Sequence, residues 1–70
     1  MFRYFKNGYE ITSTDYSELI IDEFAYQGLP MSAGKRVITK NRQHARESGS
    51  YDLRLSSGTI LRIVYKKKGC

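Results

Sequence analysis

The stretch Met31-Ser32-Ala33-Gly34-Lys35-Arg36-Val37-Ile38-Thr39-Lys40-Asn41-Arg42-Gln43-His44-Ala45-Arg46-Glu47-Ser48 decides the fold, because it reads differently under two periods. As a strand, Val37 and Ile38 point to opposite faces, and Ile38 shares its side with Arg36 and Lys40. As a helix, Gly34, Val37, Ile38, Asn41 and Ala45 gather on one arc, while Lys35, Arg36, Lys40, Arg42, Gln43 and Arg46 spread over the rest. The helical period separates apolar from basic residues and the strand period does not, so a helix is predicted over 32–47. Its apolar stripe is thin, and Gly34, Thr39 and Asn41 lower its intrinsic propensity. It must therefore be held by packing. A bent loop followed by a strand is the alternative.

Upstream, a first helix is predicted over 15–27. Thr12-Ser13-Thr14-Asp15 is rich in capping residues, and Asp15 with Glu18 has capping-box spacing. Tyr16, Leu19, Ile20 and Phe24 recur as an apolar stripe, and Gly28 then Pro30 mark the end. A hairpin precedes this helix. Asn7-Gly8 suits a type I′ turn, which needs positive φ at both central positions. Lys6 then faces Tyr9, Phe5 faces Glu10 and Tyr4 faces Ile11, and Phe2, Tyr4, Tyr9 and Ile11 share a core face.

A second hairpin, Tyr51–Leu55 and Thr59–Tyr65, follows the turn Glu47-Ser48-Gly49-Ser50. A two-residue turn would set Leu53 opposite Arg62. A three-residue loop with Gly58 left-handed sets Leu53 opposite Leu61, Tyr51 opposite Ile63 and Asp52 opposite Arg62. The second register pairs like with like and joins opposite charges. Ile60–Tyr65 is apolar on both faces apart from Arg62, as in a central strand. The expected fold is a single α+β domain over residues 1–70, with two antiparallel hairpins flanking the helices in the order β-β-α-α-β-β. Residues 66–70 are expected to form a basic solvated tail.

Seventy residues make one domain at most. The one cysteine, Cys70, allows no internal disulfide, which excludes a disulfide-stapled secreted scaffold. No apolar run approaches the ~20 residues of a membrane span, and Met1-Phe2-Arg3-Tyr4-Phe5-Lys6 lacks the apolar core of a signal peptide. A cytoplasmic protein without membrane contact is expected. No metal site is expected either, since His44 and Cys70 have no clustered ligands. Nor does His44 belong to a nucleophile signature. Asp22 and Glu23 would diverge by ~100° on a helix, and the glycines form no phosphate loop. A non-enzymatic chain with no cofactor and no small-molecule substrate is expected.

Charge is the strongest global feature. Residues 1–34 carry two basic and five acidic side chains, a net of −3. Residues 35–70 carry ten and two, a net of +8, giving +5 for the chain. Such asymmetry points to an anion-seeking face. The two helices, joined by Gly28-Leu29-Pro30-Met31, resemble a helix–turn–helix pair, whose second helix enters the major groove. Lys35, Arg36, Lys40, Arg42 and Arg46 suit phosphates. Asn41 and Gln43 are base-edge types, although Asn41 falls on the packing arc. Arg54, Arg62, Lys66, Lys67 and Lys68 would add backbone contacts if all these cations form one patch. The competing reading is a protein-directed binder using Asp15, Glu18, Asp22 and Glu23 with Tyr9, Tyr26, Tyr51 and Tyr65.

The run Lys6-Asn7-Gly8-Tyr9-Glu10-Ile11-Thr12 resembles the start of many small phage-encoded proteins. The basic segment Lys35-Arg36-Val37-Ile38 with its following hairpin is similar in outline to some small type I anti-CRISPR proteins. The resemblance covers about half the chain and carries over no functional residue. It implies a phage or mobile-element protein that acts in the host cytoplasm as an inhibitor of a nucleic-acid-bearing surveillance complex. The leading expectation is thus a small basic protein engaging nucleic acid or a host nucleoprotein complex. The alternatives are a DNA-binding regulator acting as a homodimer through helix 32–47, and a protein-only inhibitor using helix 15–27 and surface tyrosines.

Overall fold

The computed structural model describes residues 1–66. The elements are β1 (Phe2–Lys6), β2 (Tyr9–Ile11), α1 (Ser13–Tyr26), α2 (Met31–Ser48), β3 (Ser50–Arg54) and β4 (Ile60–Tyr65). This is the β-β-α-α-β-β order expected of an α+β domain. The two hairpins merge through β1 and β4 into one antiparallel sheet of order β2-β1-β4-β3. The strand apolar on both faces, β4, is central.

Both hairpin registers are those expected. Tyr4 faces Ile11, Phe5 faces Glu10 and Lys6 faces Tyr9 around Asn7 (φ 49°) and Gly8 (φ 88°). The Asn7 side chain adds a contact with no local sequence signal: its Oδ1 accepts from the Ile60 N–H at 2.9 Å, tying the turn to β4. In the second hairpin Tyr51 faces Ile63, Asp52 faces Arg62 and Leu53 faces Leu61, with Gly58 at φ 92°.

The first helix starts two residues before the expected 15. Thr12 is its cap, its Oγ1 accepting from the Asp15 N–H at 3.0 Å. Asp15 is therefore the third helical residue rather than the cap. At the other end the Leu29 N–H reaches the Phe24 carbonyl and the Gly28 N–H reaches that of Ala25, a Schellman arrangement that needs Gly28 at φ 81°. The second helix extends the expected 32–47 by one residue at each end.

Both helices cover one face of the sheet. Between the layers lie Tyr4, Tyr16, Ile20, Ile38, Ala45, Leu55, Leu61 and Ile63. Tyr9, expected on that face, is 79% exposed on β2, an edge strand of the sheet. On α2 the buried residues are Gly34, Ile38, Asn41 and Ala45, the arc that the helical period singles out, with Val37 half-buried. The opposite face of the sheet carries no helix.

Candidate nucleic-acid interface

On α2 the residues outside the buried arc form two stripes with i, i+4, i+7, i+11 spacing: Lys35, Thr39, Arg42 and Arg46, which flank the arc, and beside them Arg36, Lys40, Gln43 and Glu47. All are exposed except Arg42, which is half-buried. Glu47, in the last turn, is the one carboxylate on α2. Among the described residues the ion pairs are Arg3–Glu10 and Arg62–Asp52, so none of the α2 cations is engaged by a carboxylate.

Two of these cations are positioned by the sheet. Arg42 donates from Nε to the Tyr4 hydroxyl at 3.2 Å. The Arg46 guanidinium lies 5.6 Å from the Phe2 ring centroid and 5.7 Å from that of Tyr65, within cation–π range of both. Phe2 and Tyr65 themselves pack with centroids 5.0 Å apart. Arg42 and Arg46, with Thr39, Gln43 and Glu47, line a shallow depression on the helix. Phe2, Tyr4 and Tyr65 are supporting residues that sequence reasoning missed. They meet α2 only through the fold, so no local spacing marks them.

The expected single cationic patch is divided. Leu61 and Ile63 turn towards the helices, so strand alternation turns Arg62 to the uncovered face of the sheet. There its guanidinium is held by Asp52 through two hydrogen bonds of 2.7 and 3.0 Å. Asp52 is correspondingly drawn below the usual carboxylate range. Arg54 alternates onto the same uncovered face. Neither belongs with the α2 stripes, and the reason is the period of two in β3 and β4. Lys66 is exposed and continues the β1–β4 ladder through its N–H and the Met1 carbonyl. Lys67 and Lys68, also expected at the site, lie outside the described residues, as does Cys70.

Asn41 is removed from any reading role. It is 3% exposed, and its Nδ2 donates to the Tyr16 hydroxyl at 3.0 Å. Gln43 stays exposed between the basic residues. His44 stacks on Tyr51, with ring centroids 5.0 Å apart. The acidic side of α1 also divides. Asp15, Glu18 and Asp22 line a groove with Lys6. Glu23 turns instead to the β3–β4 loop, where its Oε2 accepts from the Ser56 N–H and hydroxyl, and these bonds hold its pKa below the usual range.

Among the described residues no group of three His, Cys, Asp or Glu side chains could hold a metal ion, and no helix is long and apolar enough to cross a membrane. Comparison with known proteins returned no matching family model, no matching curated protein and no matching solved structure.

Proposed function

We propose that this chain is a non-enzymatic binding protein whose α2 face engages the phosphate backbone of nucleic acid, alone or within a nucleoprotein complex. The observation that carries this reading is the pair of stripes on α2. Five cations stand along 18 residues of helix, about 27 Å, with none tied to a carboxylate among the described residues. Arg42 and Arg46 are already oriented by Tyr4, Phe2 and Tyr65, which lowers the ordering cost of binding. Lys35, Arg36 and Lys40 are free to follow a phosphate path. Such a surface reads charge and backbone position, with the exposed Gln43 as a base-edge donor and acceptor. An inhibitor would act by occupying the nucleic-acid path of its target through this face.

The test is binding of the purified chain to labelled duplex and single-stranded oligonucleotides. Replacing Lys35, Arg36 and Lys40 together by Ala removes three exposed cations without touching a core contact. Affinity should fall at least about tenfold while the circular dichroism spectrum is unchanged. Binding that survives the triple replacement would reject the α2 face.

A second reading rests on Tyr26 at 88% exposure and Tyr9 at 79%, rigid contact residues left in solvent; Tyr26 shares a groove with Asp22 and Lys6, and Tyr9 pairs with Lys6 across the first hairpin. It assigns the chain to a basic protein partner. Under that reading the chain does not bind oligonucleotides, and replacing Asp15, Glu18 and Asp22 abolishes partner capture.

A further inference from the structure

We propose that a second copy of this chain pairs with the outer edge of β3 in one register, which joins two four-stranded sheets into one of eight strands. The proposal stands independently of the nucleic-acid reading. It starts from the backbone of the edge. The Leu55 N–H bonds to the Thr59 carbonyl, and the Tyr65 N–H bonds to that of Gly49. With the β3–β4 register, these bonds turn the amide groups of Tyr51 and Leu53 inwards to β4, and those of Ser50, Asp52 and Arg54 outwards. β3 is a terminal strand of the sheet, so no neighbouring strand meets those outward groups.

The loop end of this edge is closed by the chain itself, where the Ser56 N–H is taken by Glu23. The Ser48 hydroxyl gives its one proton to the His44 carbonyl at 2.7 Å, so the N–H and C=O of Ser50, Asp52 and Arg54 stay open. In an antiparallel second copy centred on Leu53 opposite Leu53, Asp52 exchanges two backbone hydrogen bonds with Arg54 of the second copy, and Arg54 exchanges two with its Asp52. The backbone alone also admits a register centred on Asp52.

Charge selects between these registers and favours the one centred on Leu53. Asp52 and Arg54 both project onto the uncovered sheet face, and in the Leu53-centred register each lies opposite the other's counterpart, giving two cross-strand ion pairs. The Asp52-centred register sets two aspartates opposite each other. Asp52 keeps Arg62 on one flank, and a carboxylate has acceptor sites for a second cation. On the helix side, Phe24, Val37, Tyr51 and Leu53, together with the polar Lys40, Asn41 and His44, line a hollow beside this edge, which the second copy would cover. The two-fold axis stands perpendicular to the sheet, so both α2 helices stay on one side.

Sedimentation equilibrium of the full chain tests this. Wild type should show a concentration-dependent dimer. Arg54→Asp places a new carboxylate opposite Asp52 at both ends of the junction and should weaken it by roughly tenfold or more. Asp52→Arg should do the same through opposed arginines. Mixing the two variants restores both opposite-charge pairs and should return a heterodimer. If Asp52→Arg disturbs the fold through Arg62, the order wild type, Arg54→Gln, Arg54→Asp from tightest to weakest carries the same test. A wild-type monomer up to about 1 mM, or a dimer indifferent to Arg54→Asp, would overturn the proposal.

Discussion

Asn41 and Tyr16 are the residues at which the helix layer could most easily have been wrong. A buried amide and a buried phenol each carry a desolvation cost, and the 3.0 Å bond between them offsets it. Removing one partner strands the other, so Asn41→Ala should cost about 1–3 kcal/mol in urea unfolding, more than its small change in volume implies. The same burial pushes the Tyr16 hydroxyl up to about 12, opposed by the hydrogen bond from Asn41. The folded state therefore keeps Tyr16 neutral where the unfolded chain, near 10, begins to ionise. That stability is complete below about pH 10 and is lost as pH climbs through about 12, up to about 3 kcal/mol in all. Ultraviolet titration should show the Tyr16 hydroxyl, identified by its absence in Tyr16→Phe, ionising only as the protein unfolds in alkali. A polar residue on the apolar arc was visible in the sequence. Its partner, 25 positions away, was not, because nothing local couples them.

Element boundaries follow local chemistry closely, and the exceptions show where competition lies. Thr12, Ser13, Thr14 and Asp15 can all cap a helix. Sequence alone places the start among them, and the cap falls on Thr12 because its side chain meets the Asp15 N–H. Both hairpin registers were legible because turn type and cross-strand pairing agree. Gly34 reads as a weakness in α2 until the helices are packed. A Cβ there would stand 3.3 Å from the Ile21 Cα, a backbone atom that moves only if the helices separate. Gly34→Ala should therefore lower the thermal midpoint, whereas an exposed helical glycine would gain about 1 kcal/mol from the same change. A raised midpoint would mean that the α1–α2 contact is loose.

For the whole molecule, the lesson concerns charge. A net of +8 in residues 35–70 invites the picture of one basic patch. Helical and strand periods act on that half of the chain separately. They send Lys35, Arg36, Lys40, Arg42 and Arg46 to the sides of α2 outside its buried arc, and Arg54 and Arg62 to the uncovered side of the sheet. Composition reports how many cations exist, and only the layer arrangement reports which of them act together. The central claim is that the α2 cations work as a group on a polyanion. The most direct measurement is the slope of log affinity for a short duplex against log salt concentration, taken for wild type and for the chain with Lys35, Arg36 and Lys40 replaced by Ala. Each phosphate contact contributes about −0.9 to that slope. The expected result is a steep wild-type dependence that becomes shallower by up to about 2.7 in the variant. Equal slopes for the two proteins, or no binding by wild type at low salt, would contradict it.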